Sequence, residues 1–306
     1  NELGAVYSGA FYQNKLYLAT NKGLYQCTDP LGNHPFLLVP GTQGHAWDCK
    51  IINNKLFVNH NSGAFEIKDN KATKISSASG GFSITQNPMR ENSLVQSTYS
   101  NIVFFGEKSN HWAIDHIDFG FNDLIRFLEI DHVGNFWASH MYRGVYRLRY
   151  NDNDSLVYKR YFSKETFGKD HHIHVFKMEN RIVFTTGEKL YTFDDLRDTI
   201  VDYIRANREL GKYAATTRIV PAGNHHYWLI TRNECGLFQI ENNTAKKIKE
   251  FPFTLFQNQL ITDYENIIID PNLPNRAILC LENGFALLET DIYSSSVVRY
   301  SLLLVR

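Results

Sequence analysis

The sequence predicts an all-β fold, a seven-bladed β-propeller of four-stranded antiparallel blades, and three observations carry that expectation. A short phrase recurs through the 306 residues, each time as an apolar strand, a turn, a second apolar strand, a polar break and a third strand. Anchored on the first apolar residue of the middle strand, the copies begin at Leu16, Leu56, Leu94, Phe136, Ile182, Tyr227 and Ala277, in steps of 40, 38, 42, 46, 45 and 50 residues. Four strands of about 5–6 residues with their turns fill such a step. Aromatic residues make up 14% of the chain while proline numbers only 8, a composition suited to pleated, half-buried surfaces.

The elements follow in order. Blade 1 uses strands near 5–12, 16–20, 24–27 and 36–39, and blade 2 near 48–52, 56–59, 64–67 and 73–75. Blade 3 is more degenerate, near 82–85, 94–98, 102–105 and 111–115. Blade 4 follows near 126–130, 136–139, 145–149 and 157–161. The remaining blades start near His172, Thr217 and Tyr264. Asn14, Asn54, Asn92, Asn135, Asn180 and Asn275 stand one or two residues before a middle strand, where a tight hairpin needs them. Third strands open with Gly23, Gly63, Gly144, Gly236 and Gly284, whereas Asn101 and Lys189 take that place in two copies. Asn tolerates the left-handed region that Gly favours, and Lys does so only at a cost. Within the insertion 195–213, apolar residues at 196, 200, 201 and 204 follow helical spacing, which predicts a short surface helix over 196–205. Nearly apolar strands such as Ile182-Val-Phe-Thr fit a position between neighbouring blades.

Bulk properties narrow the function. Lys plus Arg and Asp plus Glu both number 32, so no basic field exists to draw a nucleic acid, and none is expected as partner. No run reaches the length of a membrane span, so direct membrane insertion is not expected. Cys27, Cys49, Cys235 and Cys280 form no CxxC pair; four buried thiols are expected, with a Cys27–Cys49 disulfide as the alternative. The repeat covers 1–306 as one domain. The abrupt start at Asn1 and the apolar end at Leu302–Arg306 read as an excised ectodomain.

The phrase Ile130-Asp-His-Val-Gly-Asn-Phe-Trp-Ala-Ser-His-Met-Tyr-Arg-Gly-Val-Tyr-Arg-Leu148 resembles the two-component regulator propeller repeat. Asp131, Gly134, Asn135, Trp137, Gly144, Tyr146 and Arg147 match that family's wording. Leu16–Thr20 with Gly23-Leu-Tyr25 matches the same template with a shorter break. The resemblance spans the chain in period, but only blades 1 and 4 carry strong wording. It implies a ligand-sensing periplasmic ectodomain of a bacterial hybrid two-component sensor or related regulator, often tied to polysaccharide use. It also implies a homodimeric parent, a tandem propeller in some members, and a β-sandwich after the last blade, with 292–306 as its lead-in or, alternatively, the tail as the last blade's outer strand.

Candidate chemistry concentrates where the phrase is interrupted. Trp47, His45, Tyr99, His140, Tyr142, Arg143 and His172 stand between strands, where packing makes no demand for them. Aromatic faces with a few fixed polar groups suit a small molecule or an oligosaccharide, whereas Trp137 reads as packing between blades. The run His171-His-Ile-His174 with His225-His226 would hold a metal only if both groups converged, and neither a metal nor a cofactor is expected. Asp48, Asp131, Asp170 and Asp263 lie at first-strand edges and read as turn formers rather than paired catalytic carboxylates. Non-catalytic sensing is therefore the expectation. A propeller glycosidase or polysaccharide lyase using Asp170 and His172 is the first rival, and a protein-interaction scaffold the second.

Overall fold

The chain folds as a seven-bladed β-propeller. A computed structural model describes residues 3–30, 34–256, 259–272 and 276–289. Asn275 and the tail 292–306 lie outside the described residues. Six sheets show four consecutive antiparallel strands and the seventh shows three. All seven anchors fall in the second strand of a sheet: Lys15–Thr20, Lys55–His60, Ser93–Ser97, Phe136–His140, Arg181–Thr185, His226–Ile230 and Arg276–Leu281.

The blades fall into two compact units. The first holds blades 7, 1 and 2. Its first strands are Ile267–Ile269, Val6–Tyr12 and Ala46–Ile52. Leu16 and Leu18 pack with Ile278 and Phe285 of blade 7, while Tyr17 and Ala19 pack with Val58 and Phe65 of blade 2. Successive residues of one strand thus serve two interfaces, as period-2 geometry dictates. Blade 7 is tied to blade 1 by a parallel bridge between Ala5 and Gly284. The Asn266 side-chain amide also donates to the Tyr7 carbonyl at 3.0 Å.

The second unit holds blades 3 to 6, with first strands Ser83–Gln86, Ile125–Ile130, His174–Met178 and Arg218–Pro221. Here Phe136 and Ala138 pack toward blade 3, and Trp137 packs toward blade 5 with Phe184 and Phe193. Trp137 is fully buried, so it is core. Its indole N–H donates to Asp131 at 2.9 Å. The same carboxylate accepts from the Asn135 side chain at 2.8 Å and from the backbone N–H groups of Val133 and Asn135. Asp131 is therefore a turn former, and Gly134 rather than Asn135 takes the left-handed conformation of that hairpin. Asn14, Asn54, Asn92 and Asn180 do adopt it, with φ between 52° and 62°.

Two expectations are corrected. Residues 196–205 do not form a helix: Thr199–Asp202 is the fourth strand of blade 5, and the helix runs Ile204–Leu210. Completing the sheet through the β-branched Thr199-Ile-Val overrides the helical spacing, and Leu196 is left 99% exposed. The helix instead buries Ala206 and Leu210 against Leu190, Leu229 and Phe238. The second correction concerns Gly236, which lies inside the third strand Glu234–Glu241 against the Tyr213 ring. Glu234 holds the place that Gly23 holds in blade 1.

In blades 1 to 6 a polar side chain four residues past the anchor builds the turn before the third strand, whereas blade 7 has Leu281 there. Thr20, Thr98, Thr186 and Thr231 each accept from the N–H two residues on, at 3.1–3.4 Å. Each also donates to the carbonyl three residues on, at 2.8–3.0 Å. In blades 2 and 4, His60 and His140 supply Nδ1 as the acceptor instead, both at 3.1 Å. At Gly23 and Gly63, φ is +145° and +135°, and a Cβ would run into the carbonyls of Thr42 and Ser76. Asn101, Lys189 and Glu234 reach the same cap without left-handed backbone, so the cost expected for Lys189 does not arise.

Replacing Asp131 by Ala should lower stability by about 2–4 kcal/mol, because three buried donors and the part-buried Val133 N–H lose their acceptor. Urea unfolding of the variant checks this, and Asp131→Asn, which keeps one carbonyl oxygen, should cost less.

Candidate functional site

Three first strands carry a β-bulge at the same height. The paired register skips Tyr7 in blade 1, Trp47 in blade 2 and Arg126 in blade 4. An extra residue in one strand re-aims its side chain out of the regular in–out alternation. It needs neither a ladder partner nor a place in the core.

In the first unit the bulges build an aromatic cluster. His45 stacks on Trp47 with ring centroids 3.7 Å apart and planes 25° from parallel. Tyr264, ahead of the first strand of blade 7, stacks on Trp47 at 5.5 Å. Tyr7 meets His45, Trp47 and Tyr264 at 4.7, 5.3 and 5.5 Å. All four are half-buried. Tyr7 also lines a cleft of about 420 Å³ with Asn21, Lys22 and Glu282. Burial, then the Glu282 charge, raises the Tyr7 phenol. Below the rings, Ser8 Oγ donates to Asp48 at 2.5 Å. Burial, followed by the nearby His60, lowers His45 to about 4, so at neutral pH the stack carries an uncharged imidazole. His45 Nε2 and His60 Nε2 are both buried without a hydrogen-bond partner.

The second unit places the remaining candidates apart. His140, Tyr142 and Arg143 occupy one turn of blade 4. His140 is taken up by the cap described above, Tyr142 is 70% exposed, and Arg143 reaches Asp123 at 3.5 Å. Tyr99 packs edge-on against Phe82 at 5.1 Å. His172 sits in a left-handed conformation ahead of the first strand of blade 5, its ring 5.3 Å from His171. Asp170 is 63% exposed beside His171. The two histidine runs lie at different ends of their blades: His174 starts a first strand, whereas His226 follows a hairpin and faces the Asn224 carbonyl at 2.8 Å. Among the described residues, no group of three or more His, Cys, Asp or Glu converges, and all four cysteines are buried free thiols. No helix among them is long and apolar enough to cross a membrane.

Sequence reasoning found His45 and Trp47, which meet, but missed Tyr7, Tyr264 and Arg126. The one signal for the bulged residues was a large side chain directly preceding Ser8, Asp48 or Phe127 inside an otherwise regular first strand.

Solved propellers share this fold. One is described as the extracellular domain of a hybrid two-component system, BT4673, from B. thetaiotaomicron. It matches with a TM-score of 0.62 and 12% identity, over 94% of this chain and 38% of that one. PorZ, a surface component of the type-IX secretion system of Porphyromonas gingivalis, matches at 0.64 and 9%, over 98% and 39%. Virginiamycin B lyase from Staphylococcus aureus, an enzyme, matches at 0.60 and 11%, over 93% and 94%. The chain thus spans about two fifths of the first two. No protein-family model matches the sequence, and neither does any curated protein.

His174 gives the second unit a pH signature. Burial, then the Arg126 charge, lowers it from 6.5 to about 3. The unfolded chain takes up a proton near pH 6.5 that the folded chain refuses, so stability falls as pH drops from there toward about 3. The slope from this residue approaches about 1.4 kcal/mol per pH unit. Urea unfolding at several pH values should show a slope shallower by one proton in His174→Phe; an unchanged slope contradicts the assignment.

Proposed function

We propose that this chain is the ligand-sensing, periplasmic propeller of a bacterial two-component-type regulator of the two-component regulator propeller repeat family. It answers to a carbohydrate and does not catalyse. The observation that carries this reading is the Tyr7–His45–Trp47–Tyr264 cluster, continuous through Tyr7 with a cleft edged by Asn21, Lys22 and Glu282. Aromatic faces take the C–H surfaces of a sugar ring, and a few polar groups at the rim fix its orientation. The fold shared with the B. thetaiotaomicron extracellular domain supports the same reading.

In the parent, an occupied site would act by differential affinity. A ligand that prefers one arrangement of the propeller with its following domain, or with a second protomer of a homodimer, shifts that equilibrium by its preference alone. The fold also hosts a lyase, which keeps enzymatic turnover as the competing reading. Its candidate residues would be Asp170 and His172.

A glycan panel titrated against the chain decides. Trp47→Ala and Tyr264→Ala should each weaken the best glycan by about tenfold, roughly 1.4 kcal/mol. Undiminished binding in both variants removes the cluster from the site. Turnover of any panel member that is lost in Asp170→Asn and His172→Ala would replace sensing with catalysis. In cells, exchanging this domain for an unrelated propeller should abolish the response, and a response that survives the exchange sinks the proposal.

A further inference from the structure

The seam between blades 4 and 5 holds a cavity of about 180 Å³, at the end of these blades where first and second strands join. Asp131 and His132 border it from the hairpin of blade 4. Glu179 and Arg181 border it from the hairpin of blade 5, and Asp195 from the turn after that blade's third strand, Leu190–Asp194. The buried Ile182 and Phe193 give it an apolar floor. Glu179 and Asn180 turn the chain between the paired Met178 and Arg181, both left-handed with φ of 50° and 62°, as a two-residue hairpin demands. Blade 6 holds this turn in place. The Glu179 N–H donates to the Tyr227 hydroxyl at 2.9 Å, and the Glu179 carboxylate accepts from the Asn243 N–H at 3.3 Å.

The charged groups around this cavity differ in how far they are already engaged. Asp131 serves its four donors and acts as wall. Asp195 makes no hydrogen bond or ion pair among the described residues, and Glu179 accepts only the one backbone bond. The Arg181 guanidinium forms no ion pair among them either; it lies 5.7 Å from the centroid of the Tyr203 ring. One cation and two carboxylates thus border a single cavity without neutralising one another. A ligand of one sign is attracted by part of this lining and repelled by the rest, whereas a dipolar ligand finds a complement for each charge. The space equals about six water volumes, room for one small molecule.

We propose that this cavity binds an α-amino acid with an apolar side chain. Arg181 takes the carboxylate, Asp195 and Glu179 take the ammonium, and the side chain rests on Ile182 and Phe193. A guanidinium meets a carboxylate through two parallel N–H···O bonds, and an ammonium offers three donors to carboxylate oxygens. None of these residues belongs to the aromatic cluster, so the proposal does not rest on the carbohydrate-sensing reading and can fail without it.

The test is calorimetric titration of the whole chain with L-leucine, with L-leucinamide, which lacks the carboxylate, with 4-methylpentanoate, which lacks the ammonium, and with neutral methyl glucoside. L-Leucine should bind, and each truncated analogue should bind about tenfold or more weakly, because one set of charge-assisted contacts is gone. Arg181→Gln should weaken L-leucine by a similar factor and leave L-leucinamide unchanged. Asp195→Asn should weaken both and leave 4-methylpentanoate unchanged. Both side chains are exposed, so an unchanged melting temperature is the folding control. L-Leucine that does not bind, or that binds equally well to both variants, overturns the site. L-Leucine no tighter than its two analogues overturns the dipolar ligand. Methyl glucoside bound as tightly as L-leucine, and weakened in the variants, overturns the amino acid and reassigns the cavity to a sugar.

Discussion

The constraint on which the rest depends is the burial of each blade's second strand on both faces. Leu16 and Leu18 look one way, Tyr17 and Ala19 the other, and each set is a different inter-blade core. Phe136 and Ala138 against Trp137 repeat the arrangement in blade 4. A strand so placed has no solvent face, so it reads as a continuous apolar run rather than an alternating one. Each large side chain there is worth about 1.5–3 kcal/mol of burial. A polar group that enters costs least where it finds its own partner. Ser139 and Thr185 do so by donating to the carbonyls of Ile173 and Thr217 in the next blade. The polar residue ending the strand does so by capping its own turn, as Thr20 and His60 show.

That constraint explains which parts of the fold were legible. An apolar run at a steady interval can be counted, and its seven anchors all lie in second strands. Hairpin asparagines were legible because tight turns demand left-handed residues, and Asn14 and Asn54 adopt that conformation. The glycine before the third strand was a poorer guide. Gly236 was aligned with Gly23 although its requirement is lateral, a close approach to Tyr213 rather than a turn. The better mark was the threonine or histidine four past the anchor, whose hydroxyl or imidazole makes the turn. The misplaced helix has a similar origin. Thr199-Ile-Val satisfies helical spacing on paper, but the edge of blade 5 offers those residues a ladder.

The candidate site was less legible because bulges leave no periodic trace. A register slip in one strand changes where Tyr7, Trp47 and Arg126 point without changing the spacing of the apolar residues around them. Trp47 and His45 could be named only by placing both between strands; His45 does precede the first strand of blade 2, but Trp47 lies within it as the bulged residue. Tyr264 could not, because it belongs to a segment ahead of its own first strand, and its role comes only from stacking on Trp47. His140 shows the converse. Read as a free imidazole in a loop, it is held at Nδ1 by the turn and is buried beside Asp123.

Freedom from the repeat is what lets these positions carry function. A second-strand residue answers to two cores, and a turn residue answers to its cap. The bulged residue answers to neither ladder nor core, so its chemistry can differ from blade to blade while the blade stays the same. Tyr7 and Trp47 use that freedom to place polarisable faces beside a cleft. Arg126 uses it to place a permanent charge on Phe127, with Arg218 reaching the same ring from an unbulged strand.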